Sequence, residues 1–123
     1  MLSEKSLAKM AGVDARLQAV IGAAAAICPL DFQVSEGLRS RQRQQMLCMA
    51  GKSTTLNGQH CLGRAVDIFV IKDGAADWNF ENYRTVAKAV KKAAAQLGIE
   101  IEWGGDWIHF KDGPHFQLKR SNP

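Results

Sequence analysis

The run Ala65–Ile71, AVDIFVI, constrains this chain more than any other stretch. Valine, isoleucine and phenylalanine dominate it, and their branched or aromatic side chains suit a pleated, half-buried surface, so it reads as the clearest strand in the sequence. One residue is out of place in such a strand by its own chemistry, Asp67. An ionised carboxylate taken out of water is strongly destabilising unless a counter-charge or a metal meets it. Asp67 therefore points either into a site or at a nearby cation such as Arg64, and the strand alone leaves that choice open. Any fold for this chain has to place the strand against a core and give its carboxylate a partner.

Two histidines bear on that choice. His60 precedes Asp67 in HCLGRAVDI (60–68), and His115 lies in DWIHFKDGPHFQL (106–118). Two neutral imidazoles and one carboxylate are the type of ligand set that holds a catalytic zinc and leaves its fourth position to water. Asp112 is then a spare acid. Gly113 and Pro114 force a tight turn between it and His115, so acid and ligand can face one pocket. There a carboxylate takes a proton from activated water and passes it to the leaving amine. The helical pattern His-Glu-x-x-His is absent, so a metallopeptidase site here has to be assembled from strands and loops. Taken singly, the His-x6-Asp and Asp-x2-His spacings describe an ordinary turn with a satisfied polar side chain more often than a metal site; only their combination is specific.

The remaining chain supplies scaffold. Ser3 caps a short helix through Met10, and Gly12 ends it. Asp14 caps a second helix, where Leu17, Val20, Ile21, Ala24, Ala25 and Cys28 recur at helical spacing until Pro29. Asp31–Glu36 alternates Phe32 and Val34 with polar residues as a strand does. Ser40 caps a helix to about Ala50 that buries Met46 and Leu47, and Arg39 stands at the junction before it. Gly51, Lys52 and Ser53 imitate the end of a phosphate-binding loop. Met46 occupies the place of that loop's first glycine, however, and a helix precedes where a strand is needed, so the nucleotide reading fails. Ser53–Gln59 is instead a polar loop delivering His60.

After the Asp67 strand, Lys72–Asp77 reads as a turn-rich loop with Trp78 and Phe80 packed under it. A helix follows from Asn82 to Leu97, with Val86, Val90, Ala93, Ala94 and Leu97 on its buried face and Gly98 as its cap. Ile99–Trp103 is a strand, Gly104–Asp106 a sharp bend, and Trp107–Phe110 forms a hairpin with His115–Leu118. Trp103 and Trp107 read as core rather than as a substrate platform, and His109 as partly exposed. The sum is a small α+β fold, one domain over 1–123, with helices packed on an antiparallel sheet that carries the candidate zinc site at one end.

Composition narrows the partners. At 123 residues with 46% hydrophobic and 23% charged residues, the chain is an ordinary globular domain rather than a disordered one. A net charge of +4 suits polyanions in general, whether nucleic acid, lipopolysaccharide or acidic peptides. No nucleic-acid reading motif accompanies it. Cys28, Cys48 and Cys61 are an odd number without framework spacing and read as reduced thiols; Cys61 beside His60 lacks a second cysteine to make it a convincing ligand. Glu4 and the absence of a continuous apolar core near the start argue against a secretory signal, and Val20–Leu30 is too short to span a bilayer. A cytoplasmic monomer without membrane insertion is expected.

Four words carry a resemblance: SEGLRS (35–40), GKSTTLNGQHCLGRAVDI (51–68), EWGGDW (102–107) and DGPHFQL (112–118). In this order they resemble the zinc D,D-carboxypeptidases and L-alanyl-D-glutamate endopeptidases, in the branch of short phage endolysins, over nearly the whole chain. The resemblance implies a hedgehog/D,D-peptidase-like fold and a peptidoglycan stem peptide as substrate, most of all its L-alanyl-D-glutamate bond. It also implies zinc on His60, Asp67 and His115 with Asp112 as the acid and base. Arg39, which position alone would leave on the surface, is implied to line the site and meet a substrate carboxylate or developing oxyanion. Ser53 is implied to lie near the substrate, and release to the wall during host lysis to depend on a phage holin. A D,D-carboxypeptidase or dipeptidase with the same zinc is the nearest alternative. A non-catalytic zinc-stabilised binding domain is another, against which Asp112 speaks, since a structural zinc needs no general base.

Overall fold

A computed structural model describes residues 2–37, 63–108 and 111–119. Its helices begin where side chains can satisfy the first free amides. Ser3 Oγ accepts from the Ser6 amide at the start of α1 (Glu4–Lys9), and the Asp14 carboxylate accepts from the Arg16 amide at the start of α2 (Ala15–Ile27). The third described helix, α3 (Phe80–Leu97), begins two residues earlier than the apolar periodicity suggested, because Asn79 supplies the cap and accepts from Glu81 N–H at 3.0 Å. Gly98 ends it at φ 70°, a left-handed turn that glycine adopts without a side-chain clash.

Strands β1 (Asp31–Glu36) and β2 (Ala65–Lys72) pair antiparallel, with Phe32 opposite Val70 and Val34 opposite Ile68. The segment expected as a loop is a tight hairpin. Asp73 and Gly74 both take positive φ, at 53° and 79°, which matches the right-handed twist of the strands they join, and β3 (Ala75–Asp77) folds back on β2. Trp78 does not pack beneath it. It is 63% exposed and stacks on Tyr83 at 6.1 Å, while the buried Tyr83 hydroxyl donates to Asp77 O (2.8 Å) and accepts from Val70 N–H (3.2 Å). Leu97, expected on the buried face of α3, is also largely exposed at the helix end.

The last two strands are β4 (Ile101–Trp103) and β5 (His115–Leu118), and the sheet order is β1-β2-β5-β4. β5 thus pairs with β2 on one side and β4 on the other, and of the segment expected to form a hairpin with it only Trp107 and Ile108 are described. A 3-10 turn over Gly104–Asp106 lifts the chain off the sheet after Trp103, and Gly104 O accepts from both Trp107 N–H (3.2 Å) and Asp112 N–H (3.0 Å). Both bonds close on one carbonyl, and Trp107 and Ile108 lie outside any strand. His109 and Phe110, the helix expected at Ser40–Ala50 and the loop Ser53–Gln59 lie outside the described residues.

The core sits on one face of the sheet. Val66, Ile68 and Val70 of β2 are fully buried with Phe32 and Val34 of β1 and Phe116 and Leu118 of β5, and α2 and α3 cover them through Leu17, Val20, Ile21, Val86, Val90 and Ala93. Each large apolar side chain so buried contributes roughly 1.5–3 kcal/mol. Strand alternation sends the intervening residues of β2, among them Asp67, to the face away from this core. The apolar strand and its carboxylate are therefore compatible.

Candidate active site

Register assembles the site. Asp67 on β2 lies directly opposite His115 on β5, and Gln117 on β5 directly opposite Glu102 on β4. Residues two apart on a strand share a face, so Asp67, His115, Gln117 and Glu102 line the side of the sheet that Phe116 and Leu118 turn away from. His115 Nδ1 is 3.1 Å from Asp67 Oδ1, and its Nε2 is 2.8 Å from Gln117 Oε1. The Gln117 amide nitrogen in turn donates to Glu102 Oε2 at 3.2 Å. His115 and Gln117 are both buried, at 7% and 3% exposure, so these bonds form largely out of water's competition.

Asp112 is brought in by a turn held at every carbonyl. Its amide donates to Gly104 O and its own carbonyl accepts from His115 N–H at 3.2 Å; the Trp103 indole N–H donates to Gly113 O at 2.7 Å; and Pro114 O accepts from Ile68 N–H at 2.9 Å. Gly104 is required at the contact. A Cβ there would sit 2.3 Å from Asp112 O and 3.0 Å from the Asp112 Cβ, so any side chain would push the acid away. The result is that one ligand atom each from Asp67, Asp112 and His115 lies within 4.8 Å of the others.

Two carboxylates that close repel each other in a partly buried setting, and a cation among them relieves the repulsion while the imidazole nitrogen adds a neutral donor. The donor set therefore fits a divalent metal. His115 carries the same signature. Burial, the largest single influence, pushes its pKa down. The hydrogen bond and charge of Asp67, the Gln117 bond and the charge of Asp112 together outweigh it, so the ring holds a proton more tightly than a free imidazole. A ring that holds its proton more tightly stands where positive charge is favoured. Trp107 packs its ring 5.2 Å from the imidazole at a 47° tilt and is half-buried, a neighbour of the site rather than core, whereas Trp103 is buried as expected.

Of the residues expected at the site, Asp67, Asp112 and His115 are brought together; His60, Arg39 and Ser53 lie outside the described residues, as do Cys48 and Cys61. The alternative partner for Asp67, Arg64, reaches the Lys119 carbonyl at 3.1 Å, while Asp67 faces His115. Gln117 and Glu102 carry no site role in the sequence reading, and Trp107, expected in the core, stands beside the imidazole instead. The first two had a faint signal, since Gln117 follows His115 at the strand period of two.

Residues 1–119 match the family model described as phage L-alanyl-D-glutamate peptidase. The chain belongs to this family. It is 33% identical over 122 residues to the L-alanyl-D-glutamate peptidase of Escherichia phage T5, an alignment covering 96% of this chain and 86% of that protein. It is 33% identical over 89 residues to the L-alanyl-D-glutamate peptidase of Listeria phage A118, covering 72% of this chain, and spans only 31% of that relative's length. The crystal structure of the Serratia marcescens L-Ala D-Glu endopeptidase ChiX superposes with a TM-score of 0.91 at 42% identity, covering 97% of this chain and 90% of that one. The α+β fold implied by the four matching words is the fold of this peptidase family, and the turn bearing Asp112 and the two strands bearing Asp67 and His115 lie within the matched span.

Proposed function

We propose that this member of the phage L-alanyl-D-glutamate peptidase family hydrolyses the L-alanyl-D-glutamate bond of murein stem peptides with a bound zinc, as a single domain over 1–123, in the lysis of a bacterial host. The observation that carries the reading is the meeting of Asp67 and His115 with an acid, Asp112, on a turn fixed from three sides. His60, Asp67 and His115 would hold the zinc, which when bound would polarise the scissile carbonyl and acidify water.

Asp112 does the proton work. Its carboxylate accepts a proton from the attacking water and delivers it to the amine of the departing D-glutamyl peptide, so it ends the cycle ionised as it began. The rigid turn keeps that carboxylate within reach throughout, which is what a general base needs more than an unusual pKa. Arg39 steadies the negative charge that builds on the carbonyl oxygen or grips a stem carboxylate, and Ser53 contacts the substrate. The chain's net charge of +4 favours a stem peptide bearing the D-glutamate carboxylate. The protein acts as a monomer, without nucleic acid, and stays inside the host until released to the wall. No helix among the described residues is long and apolar enough to cross a membrane.

Incubating the protein with purified murein and identifying the new termini by mass spectrometry tests the proposal. New N-terminal D-glutamyl peptides with little free D-alanine are expected. Free D-alanine as the main product, with the L-alanyl-D-glutamate bond intact, would make the enzyme a carboxypeptidase with unchanged zinc chemistry; zinc binding without any cleavage would make it a binding domain.

A further inference from the structure

We propose that Glu102 and Gln117 form a positioning relay that commits the Nε2–H of His115 away from the metal and so presents Nδ1, with its lone pair, on the side where Asp67 stands, to the ion. The inference rests on the metallopeptidase reading for its purpose and on hydrogen-bond geometry for its content.

A carboxylate can only accept hydrogen bonds, so Glu102 Oε2 at 3.2 Å selects the NH2 end of the Gln117 amide. That choice turns Gln117 Oε1, an acceptor, toward His115 Nε2 at 2.8 Å, and the contact is bonding only if Nε2 carries the proton. In a neutral ring, Nδ1 is then the unprotonated nitrogen, and it is the one 3.1 Å from Asp67 Oδ1. Left to itself, a neutral imidazole beside a carboxylate would place its proton on the nitrogen nearest that carboxylate, with the tautomer that blocks a metal. The relay selects the opposite tautomer. Its three links are held by strand register, since Gln117 lies opposite Glu102 and Asp67 opposite His115, and the middle one is 3% exposed. A histidine ligand oriented through its far nitrogen gains metal affinity, and losing such a partner commonly costs about 10- to 100-fold.

Neither residue touches the reacting atoms, so the test needs readouts that a merely structural role would not move. Long-range proton–nitrogen NMR correlations on the metal-free protein, at a pH where the ring is neutral, report the His115 tautomer directly. Zinc affinity is measured separately by competition with a chelator. In the unaltered protein the Nε2–H form is expected alone. Glu102→Gln frees the Gln117 amide to flip, so the Nδ1–H form should appear and zinc affinity should fall by about 10- to 100-fold. The double variant Glu102→Gln with Gln117→Glu rebuilds the relay with its polarity kept, because the new carboxylate accepts from Nε2–H and the new amide donates to it; tautomer and affinity should largely return.

A single Nε2–H tautomer and unchanged zinc affinity in Glu102→Gln would overturn the proposal, and so would a double variant no better than the single one. If the unaltered protein bound no zinc yet showed the Nε2–H form lost in Glu102→Gln and restored in the double variant, the relay would stand and the zinc reading would fall.

Discussion

Replacing Trp103 by phenylalanine asks whether the sheet holds the turn that bears Asp112 or merely lies beside it. The indole is 5% exposed, tilts against Phe80 at 5.6 Å, stacks on Phe116 at 6.4 Å, and donates its only polar hydrogen to Gly113 O at 2.7 Å in a buried bond. Phenylalanine keeps most of the packing and removes the donor. A buried carbonyl left without its partner costs roughly 1–3 kcal/mol, and the void left by the missing ring raises the total to about 2–4 kcal/mol. At about 2.1 cal/mol/K per residue, a chain of this length unfolds with an entropy of roughly 0.26 kcal/mol/K, so Tm should fall by about 8–15 °C in calorimetry. The loss at the site is separate. Gly113 is the link between Asp112 and Pro114–His115, and a turn released at its middle should slow murein hydrolysis by about tenfold or more at a temperature where the variant is still folded. A large fall in Tm with unchanged hydrolysis would refute the coupling, and would mean that the Gly104 and Ile68 backbone bonds position Asp112 alone. An unchanged Tm would refute the energetic reasoning itself.

Two further substitutions test separate parts of the account. Asp112→Asn should keep fold and zinc, checked by circular dichroism and metal analysis, while hydrolysis falls by about 10² to 10⁴-fold because an amide cannot take the water's proton; loss of zinc along with activity would make Asp112 a ligand. Asp14→Ala removes the α2 cap and should destabilise the protein by about 1 kcal/mol near neutral pH. The hydrogen bonds and charge of Arg16 lower the Asp14 pKa from 3.8 to about 2 in the folded protein, so the stability difference between parent and variant should be full above the ordinary carboxylate value and vanish as pH falls through about 2. Denaturation midpoints that coincide across that range would show the cap to be inert, and a constant offset would show that its ionisation does not matter.

The elements were legible wherever local chemistry decides the backbone. Ser3 and Asp14 announced two helix starts, Gly98 announced a helix end, and the alternation of Phe32 and Val34 marked β1 with its observed bounds. Errors arose where a neighbour in space decides. Asp73 and Gly74 are turn formers, and reading them as part of a loop was reasonable until β2 offered an edge for Ala75–Asp77 to pair with. Trp78 looked like core by composition, but Tyr83 fills the space beneath the hairpin and bonds both of its strands, leaving the indole to stack outside.

The site was legible where chemistry stood out of place. Asp67 in an apolar strand needed a reason, and Asp112 and His115 flanking a forced turn offered one. Gln117 and Glu102 offered no such contrast, because a polar residue at alternate positions of a strand is what any half-exposed strand shows. Their significance is created by pairing. Only when β4 lies against β5 does Glu102 stand opposite Gln117, and only then does the amide acquire a fixed sense relative to His115. A hairpin partner expected at Trp107–Phe110 leaves no place for that pairing, whereas Gly104–Asp106 forms a 3-10 turn in place of a simple bend and Trp107 and Ile108 follow it outside any strand. Through Gly104 O the same turn anchors Asp112. One short, glycine-dependent segment therefore sets both the position of the acid and the strand pairing that orients the imidazole.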